Sequence, residues 1–166
     1  MRKYVLIVAS IVLVAGAILY LLLGGTSELV FKLEERPEEV IYGQLFEGRP
    51  TEQRLEALFI DTRERSKEIN QPLVVVNYEQ DSVPLKQFIG TMGNPKRSAN
   101  LEALKMPSGK YVSTKIESHS LVMPRPDEIR EAAENFADLE GVKLSPKESF
   151  EIYKGDSALV VMFWCL

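Results

Sequence analysis

The stretch "FEIY", Phe150 to Tyr153, sets a carboxylate and a phenol two residues apart. In a strand such residues share a face, so Ser149, Glu151 and Tyr153 point one way and Phe150 and Ile152 the other. On the covered face of a sheet, an unpartnered glutamate must find a donor or counter-ion, or keep its proton. A groove admitting a cation or a hydrogen-bond donor would supply that partner. Tyr78, Tyr111 and Tyr153 would add aromatic faces, each worth roughly 0.5–2 kcal/mol to a cationic ligand. The competing reading puts Glu151 on a solvent-facing edge or beside a Lys or Arg, where no ligand is needed. Trp164, the single tryptophan, sits in the apolar run "ALVVMFWCL". Its first expected job is core packing, and groove lining its second.

Other reactive side chains are sparse. His119 is the one histidine and Cys165 the one cysteine, so no internal disulfide can form and nothing favours a zinc site. In Ser118-His119-Ser120 adjacent residues on a strand point apart, which argues against a hydrolytic dyad. Gly90-Thr91-Met92-Gly93, followed by Lys96-Arg97, lacks the strand–loop–helix setting of a phosphate cradle. No metal and no cofactor is expected.

The elements that position these residues repeat. Val40–Phe46 reads as a strand, and Thr51 is the expected N-cap of a helix with Leu55, Leu58, Phe59, Thr62, Ser66 and Ile69 on one stripe. Leu73–Tyr78 and Leu85–Met92 read as strands. The order returns as a strand at Lys110–Glu117 and a helix opened by Pro124-Arg125-Pro126-Asp127, with Ile129, Ala132, Ala133, Phe136 and Leu139 on its stripe. Gly141 closes that helix, and strands follow at Ser149–Tyr153 and Ala158–Cys165. Short strands are expected at Leu29–Leu33 and Leu101–Met106. Tyr78-x-x-Asp81-Ser82 and Tyr153-x-x-Asp156-Ser157 superpose without a gap, which aligns Val76 with Glu151 and puts Val74, Val76 and Tyr78 on the corresponding face. The expectation is an α+β domain built from two strand–helix–strand–strand units, about 38–93 and 108–166, with an antiparallel sheet and both helices on one face.

Ahead of this domain, Tyr4–Leu23 runs twenty residues without a charge. At about 1.5 Å per residue it is long enough for a membrane's hydrocarbon core of roughly 30 Å. The span is too long for a signal-peptide core, and Leu21-Leu22-Leu23 is a poor approach to a cleavage site. The sequence therefore divides into a short N-terminus at 1–3, a transmembrane helix at 4–23, a linker at 24–27 and a domain at 28–166. Arg2 and Lys3 place the N-terminus in the cytoplasm and the domain outside it. Without those two residues, 18 cations face 24 acids in the remainder, so neither nucleic acid nor an anionic lipid surface has a general electrostatic reason to bind it.

The duplicated unit, "MPSGKYVSTKIE" at Met106–Glu117 and the "FEIY" stretch resemble the GyrI-like, effector-binding domain over about residues 28–166. The resemblance implies a groove flanked by two helices, taking flat, apolar and often cationic compounds. A glutamate matching Glu151 would contact the ligand. A DNA-binding domain normally precedes the regulators of that family; a membrane anchor stands in its place here, and transcription control is not implied. The leading expectation is a membrane-tethered small-molecule-binding module using Glu151, Tyr153, Tyr111, Tyr78 and Trp164. Some GyrI-like proteins hydrolyse strained electrophiles, so the enzymatic alternative makes Glu151 an acid/base with Tyr153 or Tyr111 as partner. A third reading is a protein-interaction domain without a ligand.

Overall fold

The structure, a computed structural model, describes residues 2–22, 28–78, 84–93, 101–117, 123–155 and 158–166. Its elements are α1 (Arg2–Leu22), β1 (Phe31–Arg36), β2 (Glu39–Gly48), α2 (Gln53–Glu68), β3 (Leu73–Tyr78), β4 (Leu85–Met92), β5 (Glu102–Met106), β6 (Gly109–Ile116), α3 (Pro126–Glu140), β7 (Leu144–Lys154) and β8 (Ala158–Cys165). The linker 24–27, Asp81-Ser82, Lys96-Arg97, His119 with its flanking serines, and Asp156-Ser157 lie outside the described residues.

All eight strands form one antiparallel sheet in the order β1-β6-β8-β7-β3-β4-β2-β5. β1 and β2, joined only by Pro37-Glu38, stand at the first and seventh places, and β5 and β6, joined by Pro107-Ser108, at the eighth and second. Two-residue connections cannot bridge a flat sheet of that width, so the sheet curls until its two sides meet. Arg36 fastens the junction by donating to Glu39 at 3.0 Å and to the Met162 sulfur at 3.6 Å.

Curling gives the sheet two unlike faces. The inner face is filled by Ile41, Val74, Val76, Phe88, Met106, Tyr111, Phe150, Ile152 and Met162, drawn from both halves. The outer face carries the helices. α2 packs Leu55, Leu58 and Phe59 on Leu73, Val75 and Ile89, while α3 packs Ile129, Ala133 and Ala137 on Val112, Val161 and Phe163. Leu139 is not on that stripe: it is 86% exposed and Ala137 takes the buried place. Ten residues beyond Ile129, at 100° each, leave it about 80° off line. Nor does Thr51 cap α2. The N-cap is Glu52, whose carboxylate accepts the Arg49 backbone N–H at 2.8 Å and starts the helix one residue later.

Among residues with described side chains, no helix is long and apolar enough to cross a membrane. In α1 those side chains run only from Ser10 to Tyr20, all exposed. The transmembrane helix expected over 4–23 is thus not shown; what the structure has there is the 21-residue helix α1.

β2 and β4 approach closely where Gly43 faces Gly90. A Cβ on Gly43 would lie 2.2 Å from the Ile89 carbonyl oxygen and 2.6 Å from the Gly90 Cα. Backbone cannot step aside as a side chain does, so Gly43→Ala should cost at least the upper end of ordinary overpacking, about 3 kcal/mol. Gly141 ends α3 at φ +68 with open space around it, and Gly141→Ala should cost about 1–2 kcal/mol of left-handed strain. Urea unfolding of both variants checks this; equal midpoints would show that the Gly43–Gly90 approach is not a constraint.

Candidate functional site

β3 and β7 pair at the centre of the sheet, with Val75 opposite Glu151, Asn77 opposite Ser149 and Leu73 opposite Tyr153. Opposed residues share a face, so Glu151 and Tyr153 lie on the outer, helix-bearing side. α2 packs on β3 and β4 and α3 on β6, which leaves β7 between them. Tyr153 touches the apolar clusters of both helices and meets Phe59 edge-on at 5.7 Å.

Glu151 is half-buried and both of its oxygens are engaged. The Tyr153 hydroxyl donates to Oε2 at 2.6 Å and the Asn77 amide to Oε1 at 2.8 Å. Gln87, opposite Asn77 on β4, donates in turn to the Asn77 Oδ1 at 2.6 Å. Among the described residues no Lys or Arg pairs with this carboxylate. Burial first, and then the Glu151 charge and hydrogen bond, push the Tyr153 phenol far above its ordinary value. Tyr153 is therefore a proton donor to the carboxylate at any physiological pH.

The structure does not bring Tyr78, Tyr111 and Trp164 to Glu151. The gap-free superposition of the two halves is offset by one residue: in the β3–β7 ladder Val74 and Val76 oppose Ile152 and Phe150, so they face inward with Tyr78. Tyr111 is fully buried there, donates its hydroxyl to the Pro107 carbonyl at 2.5 Å and meets Phe150 edge-on. Trp164 lies opposite Tyr111, with its indole Nε1 against Gly109. Glu148 lies opposite Tyr78 and within electrostatic reach of Tyr111. Burial pushes the Glu148 carboxyl up, and burial followed by the Glu148 charge raises both Tyr78 and Tyr111. Asn77, Gln87, Phe59 and Glu148 were absent from the sequence-derived set. Asn77 left one signal, as the polar residue that breaks the run "LVVVNY".

Cys165 is buried and burial raises its thiol, which makes it an inert core residue. Among the described residues, no group of three or more His, Cys, Asp or Glu could hold a metal ion.

No protein-family model matches the chain, and no curated protein does. Solved structures do share its fold. SAV2435, solved bound to tetraphenylphosphonium, is 11% identical with a TM-score of 0.52, over 82% of this chain and 94% of that one. The C-terminal domain of EcmrR is 14% identical at 0.56, over 83% and 98%. A hydrolase from Listeria innocua is 11% identical at 0.56, over 82% and 91%. At such identities the likeness concerns fold alone, and that fold is consistent with a GyrI-like effector-binding domain.

The raised phenols set an alkaline limit. Below pH about 10 neither the folded nor the unfolded chain ionises Tyr111 or Tyr153. Above it the unfolded chain releases protons that the folded chain keeps, so stability falls as pH rises. Spectrophotometric titration near 295 nm should show exposed tyrosines ionising first and these two only on unfolding. Full tyrosine ionisation with the fold intact would contradict their burial.

Proposed function

We propose that this protein is a membrane-anchored small-molecule-binding module whose outer-face site, between α2 and α3, takes an apolar or cationic ligand on Glu151. The observation that carries the reading is the half-buried carboxylate held by two neutral donors and, among the described residues, no cation. Neutral donors stabilise the ion without cancelling its charge, so a cationic ligand gains a counter-ion at a site where part of the desolvation has already been met. Tyr153 and Phe59 offer aromatic surface beside it. The phosphonium found on a structure of similar fold supports this choice of ligand class. Tetraphenylphosphonium should bind the full chain in zwitterionic lipid nanodiscs, and Glu151→Gln should weaken it at least tenfold by calorimetry. Equal affinity in both proteins would remove Glu151 from the site.

A hydrolytic reading draws on the 2.6 Å Tyr153–Glu151 hydrogen bond and on the fold shared with a hydrolase. With the phenol holding its proton, Glu151 would be the base and Tyr153 the acid. This reading ranks second because no further nucleophile lies in the Glu151 hydrogen-bond network.

The anchor is α1. Its 21 residues span about 31 Å at 1.5 Å each, and its described side chains are exposed. Arg2 and Lys3 favour a cytoplasmic N-terminus and a domain outside the cytoplasm. The full chain should stay in the membrane pellet under alkaline carbonate, and removal of residues 2–22 should release it. Because Cys165 is buried, Glu131→Cys at an exposed position of α3 gives a clean orientation reporter. Labelling of intact cells by an impermeant maleimide supports the stated orientation; labelling only after lysis reverses it.

A further inference from the structure

A second site lies at the end of the sheet where β2 and β3 begin and β4 and β7 finish. There a cavity of about 500 Å³ opens among Arg36, Glu39, Val40, Tyr42, Gln71, Pro72, Met92, Gly93 and Lys154. It is separate from the Glu151 site: Glu151 does not line it, and Lys154, three residues along β7, belongs to the inner-facing alternation of Ile152.

Its walls are set by local structure. α2 is capped by Ile69, and Asn70 in the left-handed region (φ 51) turns the chain into Gln71. The Gln71 N–H donates to the Ser66 carbonyl at 3.0 Å, and the Met92 N–H to the Pro72 carbonyl at 3.2 Å. Gly93, at φ +85, holds β4's end so close to the Gln71 side chain that an added Cβ would touch it at 3.6 Å. Gln71, Pro72 and Met92 line the cavity together with Val40 and Tyr42 of β2.

The charges do not cancel. Lys32 holds Glu34 at 2.7 Å, and Arg36 holds Glu39 at 3.0 Å. Lys154 is exposed and has no acid partner among the described residues. Among the lining residues Arg36 and Lys154 stand against one acid, Glu39, and Arg36 also lies 3.5 Å from Glu34. Apolar walls, a carboxamide donor and one unmatched ammonium fit a ligand with a flat apolar body and a single negative charge.

We propose that this cavity binds a small aromatic or aliphatic carboxylate, its anionic end on Lys154 and Gln71 and its apolar body against Tyr42, Val40, Pro72 and Met92. The probe is 2-naphthoate, titrated by fluorescence into the full chain in zwitterionic lipid nanodiscs. Binding is expected to be at least tenfold stronger than that of neutral 2-naphthamide. Lys154→Glu should weaken it at least tenfold, and Lys154→Arg should largely keep it. Lys154→Glu should lose 2-naphthoate but still bind tetraphenylphosphonium, which depends on Glu151, so the two sites fail independently. No binding of 2-naphthoate at millimolar concentration, equal binding of the amide, or full affinity in Lys154→Glu would each overturn the proposal.

Discussion

Two connections of two residues, Pro37-Glu38 and Pro107-Ser108, must each carry the chain from one side of an eight-stranded sheet to the other. No flat sheet permits this, and the rest of the molecule follows from the curl they impose. The first strand of each half pairs with the opposite half, β1 on β6 and β5 on β2. The halves are therefore joined by strand exchange as well as by the central β3–β7 seam, and neither half has a complete sheet without the other. Close backbone approach at Gly43 and Gly90 belongs to the same bending, because a curled, twisted sheet needs points where side chains are absent.

The curl also decides what each face can hold. Inside, side chains from facing strands converge, and the space fills with Tyr111, Phe150, Met162, Ile41 and their neighbours. Outside, the strands splay and two short helices cannot cover the whole width. Leu73, Val75 and Ile89 lie under α2, and Val112 and Phe163 under α3. Between them the outer face turns polar, with Ser149, Asn77 and Gln87 in one cross-strand row. The hydrogen-bonded chain from Tyr153 through Glu151 and Asn77 to Gln87 spans both halves. It exists only when β3 and β7 are in register, which makes the site a product of the seam.

Local signals made much of this fold legible. β3, β4 and β8 coincide with the apolar runs read at Leu73–Tyr78, Leu85–Met92 and Ala158–Cys165, because turn residues bound each of them. The start of β7 was hidden: Pro146 and a register shift between Leu144 and Ser149 interrupt the alternation that marks a strand. Facing was the larger loss. Alternation correctly paired Glu151 with Tyr153, but which residues of β3 share their face depends on cross-strand register, a non-local quantity. A one-residue offset in the repeat sent Val76 and Tyr78 to the wrong side and concealed Asn77, the actual neighbour. Tyr111 and Trp164, expected there for their aromatic faces alone, belong to the inner face.

That exchange of neighbours changes the chemistry of the site. Had a ring of tyrosines surrounded Glu151, the carboxylate would have depended on a ligand for most of its polar contacts. Instead it already holds a phenol and a carboxamide, and burial keeps that phenol protonated. Two hydrogen bonds to a charged acceptor are each worth about 1.5–3 kcal/mol, enough to keep the ion tolerable where it is half-buried. They leave its negative charge in place. A lysine at the position of Asn77 would have stabilised the carboxylate too, but by closing an internal ion pair that any cation must then break. Neutral donors thus hold Glu151 by hydrogen bonds alone, with no ion pair to it among the described residues.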